Sequence, residues 1–176
     1  PGFEDKATVP ILFDKKTKTI VNNESIEIMK MLNSEFENLA QKKIDMYPSH
    51  LQGQIDENYD WIYNTINNGV YKSGFAVTQE AYNEACTALF ESLDRADKML
   101  EGQKYLFGNQ FTIMDIRLFM TLIRFDPVYI VHFKCSKRSI QSYKNLNKYV
   151  RHLYHDLGLK KVINMDHIKR HYYGSH

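Results

Sequence analysis

The stretch that decides the fold is Thr8-Val9-Pro10-Ile11-Leu12-Phe13, followed shortly afterwards by Val21-Asn22-Asn23-Glu24-Ser25. The first segment is apolar and β-branched, and the charged residues Asp14-Lys15-Lys16 end it. A second apolar run, Thr19-Ile20-Val21, leads into polar residues that suit the start of a helix. This order predicts a strand, a turn, a second strand and then a helix.

Two features of this segment indicate a ligand site. Proline cannot donate to a sheet ladder, and a cis Val9–Pro10 bond turns the Val9 N–H and C=O toward an extended peptide. Ser25 falls in the first turn of the helix, where free N–H groups attract an anion, and Glu24 can pair with an ammonium group. Glutathione carries a carboxylate, an ammonium group and a peptide-like middle, so it fits all three features.

A simpler interpretation of the same residues stays open. Pro10 can merely protect an edge strand, and Asn23 or Ser25 can merely cap a helix. The local pattern alone does not separate these alternatives.

Composition bounds the class of protein. A chain of 176 residues with 43% hydrophobic and 25% charged residues suits one domain, or one and a half, of ordinary globular type. The net charge of +2 includes no basic block, which argues against a nucleic-acid partner. No apolar run is long enough to predict a membrane span. Cys86 and Cys135 have no metal or CxxC spacing, so we expect a reducing compartment, with cytoplasm favoured and an organelle matrix left open.

Helical periodicity organises most of the chain. Ile26, Met29, Leu32 and Phe36 form one apolar stripe after the hairpin. Beyond residue 50, further stripes cover residues 55–66, ended by Asn67-Asn68-Gly69, and residues 82–100. Two more helices are predicted near residues 142–157 and 160–173.

The segment from Phe111 to Phe125 is apolar on nearly every face, which predicts a buried central helix of an all-α domain. Thr112 and Asp115 have the spacing of a capping box at its start. Asp126-Pro127 is expected to end it, because a residue before proline disfavours the helical conformation.

Taken together, several motifs resemble the glutathionyl-hydroquinone reductases, which are Xi-class, omega-like glutathione transferases. The resemblance extends over nearly the whole chain. Its motifs are Thr8-Val9-Pro10, Val21-Asn22-Asn23-Glu24-Ser25, Met31–Phe36, Asn68–Ala76, Asp115–Phe119, Leu122–Tyr129, His132–Cys135 and Asp166–Tyr173.

The resemblance implies an α+β fold: the C-terminal β-β-α part of a thioredoxin-like domain (residues 1–40), followed by an all-α glutathione transferase helical domain (residues 41–176). Glutathione is then the expected cofactor, bound between the domains, with glutathionylated quinols as substrates and a homodimer as the assembly. The implied reaction is reduction of glutathionyl-hydroquinones through a cysteine–glutathione mixed disulfide. A scaffold or a glutathione-binding module without catalysis is the alternative.

The nucleophile of that reaction is not expected in this chain. The family carries it in a Cys-Pro motif at the start of the first helix of the thioredoxin-like domain, which would precede Pro1. Cys86 falls on an apolar helical stripe and is expected to be a core thiol. Cys135 follows His132-Phe133-Lys134, where one histidine and one cysteine are too few for a metal site. We therefore expect the chain to be a fragment without turnover of its own.

The resemblance also assigns binding roles. Val9, with a cis Pro10, would pair with the cysteinyl part of glutathione, Ser25 would hold the γ-glutamyl carboxylate, and Glu24 the ammonium group. Tyr63, Tyr129 and Tyr172 are the candidates for the quinol pocket, because a phenolic hydroxyl can hydrogen-bond a quinol oxygen.

Other polar residues have expected or open roles. Asp115 should be structural. Arg117 and Arg124 either pair with carboxylates or reach the cleft. His167 and His171 share a helical face, but no third ligand is evident, so no metal is expected.

Overall fold

The structure, a computed structural model, describes residues 8–41 and 44–174. Its contacts divide the chain into two units, Pro1–Pro48 and Ser49–His176. In its described residues the first unit holds a two-stranded antiparallel sheet and one α-helix, and the second is helical, which confirms the predicted α+β class. The assignment of domains to residues 1–40 and 41–176 stays a prediction.

The hairpin of the first unit pairs β1 (Leu12–Asp14) with β2 (Thr19–Asn22), and Phe13 lies opposite Ile20. The side chain of Asp14 closes the turn, because its Oδ1 accepts the backbone N–H of Lys16 at 2.7 Å. A short polar turn of this kind is what the charged break in the sequence predicts.

The first strand is shorter than the sequence predicts. It begins at Leu12, whereas the apolar run begins at Thr8. Pro10 has no N–H for the ladder, and the carbonyls of Thr8 and Pro10 accept hydrogen bonds from the side chain of Asn23 instead. The residues before Leu12 therefore form a bend that is tied to the segment after β2.

Helix α1 (Ser25–Ser34) follows the hairpin, as predicted, but the predicted apolar stripe is buried only in part. Ile26 and Ile28 are buried, whereas Leu32 and Phe36 of the predicted stripe are 58% and 42% exposed. Two short strands offer too little surface to cover the whole apolar side of a helix. A single turn of 3₁₀-helix, Glu37–Leu39, comes next.

The second unit contains seven α-helices among its described residues. They are α2 (Gln52–Ile62), α3 (Gly69–Gly74), α4 (Gln79–Met99), α5 (Ile113–Arg124), α6 (Ile130–His132), α7 (Lys144–Arg151) and α8 (Met165–Gly174). None of the helices in the described part of the chain is long and apolar enough to cross a membrane.

Two predicted helix ends are wrong because wide turns carry the chain onward. After α2 a π-helical turn spans Tyr63–Asn67, and α3 starts at Gly69 where we expected a stop. After α5 a second π-helical turn, Phe125–Tyr129, contains Pro127 and leads into α6. The i to i+5 hydrogen bond from the Ile130 N–H to the Phe125 carbonyl spans the proline, whose missing N–H would have broken an α-helical ladder.

Helix α5 is the buried centre of the second unit, as predicted. Its Asp115 is fully buried in the predicted capping box with Thr112. Oδ2 accepts the N–H and the hydroxyl of Thr112, both at 2.8 Å, and Oδ1 accepts the Leu106 N–H and the Tyr149 hydroxyl, both at 2.9 Å. Burial raises the pKa of Asp115, and these donors act in the opposite direction. The carboxylate thus joins three segments of the unit, in keeping with the predicted structural role.

Candidate functional site

The bend at Val9 is the first element of the candidate site. The Val9–Pro10 peptide bond is cis, as the resemblance implied, and Val9 is 91% exposed. Asn23 Nδ2 donates to the carbonyl oxygens of Thr8 at 3.1 Å and of Pro10 at 2.6 Å. Val9 therefore lies between two anchored carbonyls, in a segment that an extended peptide backbone could approach.

The start of α1 is the second element. Glu24 occupies the N-cap position in an extended conformation and is exposed, and Ser25 is the first helical residue. The Glu24 N–H donates to the Asn22 side chain at 2.7 Å. The dipole of α1 favours an anion at this end of the helix, and the Glu24 carboxylate favours a cation beside it. A ligand that carries both a carboxylate and an ammonium group matches this pair.

A cluster of tyrosine hydroxyls lies in the second unit. The Tyr172 hydroxyl of α8 is 2.8 Å from that of Tyr71 in α3 and 3.1 Å from that of Tyr129 in the π-helical turn after α5. The Tyr129 ring stacks on Phe133 with a centroid distance of 5.4 Å. Hence the structure brings together two of the predicted pocket tyrosines, Tyr129 and Tyr172, and adds Tyr71. We call these three residues the tyrosine cluster.

Two hydroxyls of this cluster, those of Tyr129 and Tyr172, are held in the neutral form. Burial raises the pKa of Tyr172 to about 12 and raises the pKa of Tyr129 further. The nearby Arg124 guanidinium, which donates to the Met120 carbonyl, opposes the shift at Tyr172. Around neutral pH Tyr129 and Tyr172 are therefore hydrogen-bond donors and acceptors rather than nucleophiles.

Tyr63 has different neighbours. It begins the π-helical turn after α2, stacks on Tyr59 at a centroid distance of 5.7 Å, and lies under the Arg117 guanidinium at 4.8 Å. Arg117 also covers the Tyr59 ring at 4.8 Å. Among the contacts of the described residues, none joins Tyr63 to the tyrosine cluster, and its substrate-binding role stays a prediction.

The two cysteines are buried. Cys135 is 0% exposed and Cys86 9% exposed, and burial raises the pKa of the Cys135 thiol to about 12. Both features disfavour a reactive thiolate. Within residues 8–41 and 44–174, no three histidine, cysteine or acidic side chains lie close enough together to hold a metal ion.

Sequence reasoning missed Tyr71 and Asn23. Tyr71 lies inside the Asn68–Ala76 motif of the resemblance, but no helix was predicted there, so nothing placed its ring. Asn23 was considered only as a helix cap, whereas its side chain bonds backward across the hairpin.

Comparison with known proteins indicates which proteins the chain is similar to. Residues 79–152 match the family model described as the glutathione S-transferase C-terminal domain. Glutathionyl-hydroquinone reductase YqjG of Escherichia coli (strain K12) is 52% identical over 176 residues, which are 100% of this chain and 54% of that protein.

Solved structures give the same result. The glutathione-bound structure of YqjG, a glutathione transferase homolog, matches with a TM-score of 0.94 over 99% of this chain and 56% of that one. The glutathione-S-transferase Xi from Phanerochaete chrysosporium is 55% identical with a TM-score of 0.93, over 97% of this chain and 59% of that one.

In its fold and in its helical domain, the chain is similar to the glutathione transferases. More narrowly, it is similar over its whole length to a glutathionyl-hydroquinone reductase and over 97% of its length to an Xi-class transferase, which confirms the resemblance seen in the sequence. The chain spans little more than half the length of these relatives.

Proposed function

We propose that this chain is part of a glutathione-dependent oxidoreductase that reduces glutathionyl-hydroquinones. The observation that carries the proposal is the match, over 99% of the chain, to a structure described as glutathione-bound. The relative of that name is itself a glutathionyl-hydroquinone reductase.

We assign the binding of glutathione to Val9, Glu24 and Ser25. The Val9 N–H and C=O pair with the cysteinyl backbone of glutathione, Ser25 and the adjacent amides hold its γ-glutamyl carboxylate, and Glu24 holds its ammonium group. This assignment is supported by the exposed bend at Val9 and by the position of Ser25 at the start of α1.

We assign the binding of the quinol ring to the tyrosine cluster. Neutral phenols donate hydrogen bonds to the oxygens of a quinol, and their rings cover its face. The proposal includes Tyr129 and Tyr172 from the sequence and Tyr71 from the structure. The two hydroxyl contacts of Tyr172 support its central place in this pocket.

The reaction needs a cysteine thiolate. It attacks the sulfur of the glutathionyl thioether, the carbon–sulfur bond breaks, and the ring carbon takes up a proton, which leaves the free hydroquinone and an enzyme–glutathione mixed disulfide. A second glutathione thiolate attacks that disulfide and releases glutathione disulfide and the enzyme thiolate. Because Cys86 and Cys135 are both buried, we assign the role of nucleophile to neither of them. The nucleophile in this proposal is a cysteine of the intact protein that lies outside this chain.

The test is turnover by the intact protein with a glutathionylated quinol and excess glutathione. We expect one free quinol and one glutathione disulfide for each substrate consumed. Glutathione binding without quinol release would leave only a glutathione-binding module and would contradict the reductase function. On the resemblance alone, the proposal extends to a cytoplasmic homodimer, and light scattering of the intact protein tests the assembly.

A further inference from the structure

We propose that Asn23 is a positioning residue for glutathione, one that fixes the Val9 backbone relative to Glu24 and Ser25. This inference rests on the proposed function, since Val9 and Ser25 are assigned there to the two ends of the same ligand. Asn23 itself acts through these neighbours.

Both polar atoms of the Asn23 side-chain amide form hydrogen bonds with the bend around Val9. Nδ2 donates to the carbonyls of Thr8 and Pro10, at 3.1 and 2.6 Å, and Oδ1 accepts the Thr8 hydroxyl at 3.0 Å. These carbonyls belong to the residues on either side of Val9. Two hydrogen bonds donated and one accepted by the same side chain thus hold the segment in which Val9 presents its backbone.

Asn23 is also close in the chain to the start of α1. Asn23 precedes the N-cap Glu24 directly, and Glu24 is itself held by the hydrogen bond from its N–H to Asn22 Oδ1 at 2.7 Å. Any displacement of the bend relative to Asn23 therefore changes the separation between the Val9 backbone and the start of α1. A ligand that spans both positions requires that separation to be fixed.

This arrangement requires an amide in particular. A carboxylate of the same shape has no hydrogen to donate and would face two carbonyl oxygens, and alanine has no polar atoms at all. Asn23→Asp therefore removes the two donated hydrogen bonds with the least change in shape, and Asn23→Gln keeps the donors on a longer side chain.

A matched control lies in the same unit. Asn33 makes a comparable pair of bonds, from its Nδ2 to Asp45 Oδ1 at 3.0 Å and from the Met46 N–H to its Oδ1 at 2.7 Å. Asn33→Ala removes this tether without touching the bend or the residues around Ser25.

The experiment is calorimetric titration of the intact protein and its variants with S-methylglutathione, which binds without thiol exchange. We expect the dissociation constant to rise roughly three- to tenfold in Asn23→Asp and Asn23→Ala. Asn23→Gln should recover part of the loss, and Asn33→Ala should bind like the wild type. In turnover, the KM for glutathione should rise while kcat at saturating glutathione stays within about twofold.

Two results would overturn the inference. Unchanged affinity in Asn23→Asp would show that the bend needs no tether, and an equal loss in Asn33→Ala would reduce the effect to general stability. Thermal unfolding of each variant shows whether it is folded. If Asn23→Ala is not folded, the comparison of Asn23→Asp with Asn23→Gln tests the inference. Failure of the wild type to bind S-methylglutathione would instead overturn the proposed function, and this inference with it.

Discussion

The hydroxyl of Tyr71 lies 2.8 Å from the hydroxyl of Tyr172, although the two residues are 101 positions apart in the chain. Helices α3 and α8 thereby contribute to one group of phenols, with Tyr129 from the turn after α5 as the third. Tyr129 is buried, whereas Tyr71 and Tyr172 are partly exposed and so within reach of a ligand.

Tyr172→Phe tests the role of the cluster in the quinol pocket. Loss of the central hydroxyl should lower kcat/KM for the glutathionylated quinol by roughly three- to tenfold, the effect of one hydrogen bond to a neutral group. Tyr173→Phe is the control, because the Tyr173 hydroxyl donates instead to the carbonyls of Pro127 and Val128. Steady-state kinetics of the intact protein measures both variants. Equal kcat/KM in wild type and Tyr172→Phe would remove the cluster from the pocket.

Gly74→Ala should disturb the support of the same cluster. A Cβ at Gly74 would overlap the side chain of Phe133, which is buried and stacks on Tyr129. We expect a loss of about 2 kcal/mol in the free energy of unfolding, because a close-packed site has no room for the methyl group. Gly53→Ala has nothing within contact distance of the new Cβ and should leave stability unchanged or slightly higher. Urea titration of both variants measures the difference in stability. Equal unfolding midpoints for the two would contradict the predicted overlap.

Asp115→Ala should be more costly than the loss of an ordinary helix cap. It leaves the buried N–H groups of Leu106 and Thr112 without their acceptor, and the Tyr149 hydroxyl keeps only the backbone carbonyl of residue 115 at 3.3 Å. The expected loss in free energy of unfolding is about 3 kcal/mol. Thr78→Ala is the reference, since Thr78 caps α4 at an exposed position by accepting the Ala81 N–H and should cost about 1 kcal/mol. Chemical denaturation in which Asp115→Ala lost no more stability than Thr78→Ala would contradict this account.

The raised tyrosine pKa values predict a loss of stability in alkali. An unfolded tyrosine releases its proton near pH 10, whereas Tyr172 in the folded chain holds its proton to about pH 12. Between these values the unfolded state binds fewer protons than the folded state, so the free energy of unfolding falls as pH rises. Denaturation midpoints measured across this range should fall, and Tyr172→Phe should show a shallower slope. A midpoint that did not change with pH would be inconsistent with the buried hydroxyls.

The cysteines should resist alkylation in the folded protein. Cys135 is fully buried with a pKa of about 12, and Cys86 is 9% exposed. Iodoacetamide followed by peptide mapping should label neither in native buffer and both in denaturant. Rapid native labelling of Cys135 would reopen its candidacy as a reactive thiol.

The sequence predicted the features that depend on local chemistry. The hairpin and α1 follow from β-branched runs and polar breaks, and the box of Thr112 and Asp115 follows from spacing alone. The predicted helix end at Asp126-Pro127 was wrong, because a π-helical turn accommodates Pro127 and overrides its preference for ending a helix. Tyr71 and Asn23 were not predicted because their partners, such as Tyr172 and Thr8, come from distant parts of the chain.

The most direct test of the central claim is a titration of the isotope-labelled intact protein with glutathione, followed by backbone amide chemical shifts. We predict saturable shifts at Val9, Glu24 and Ser25, with smaller changes at Asn23. Shifts that leave Val9 and Ser25 unchanged while glutathione binds elsewhere would contradict the proposed site.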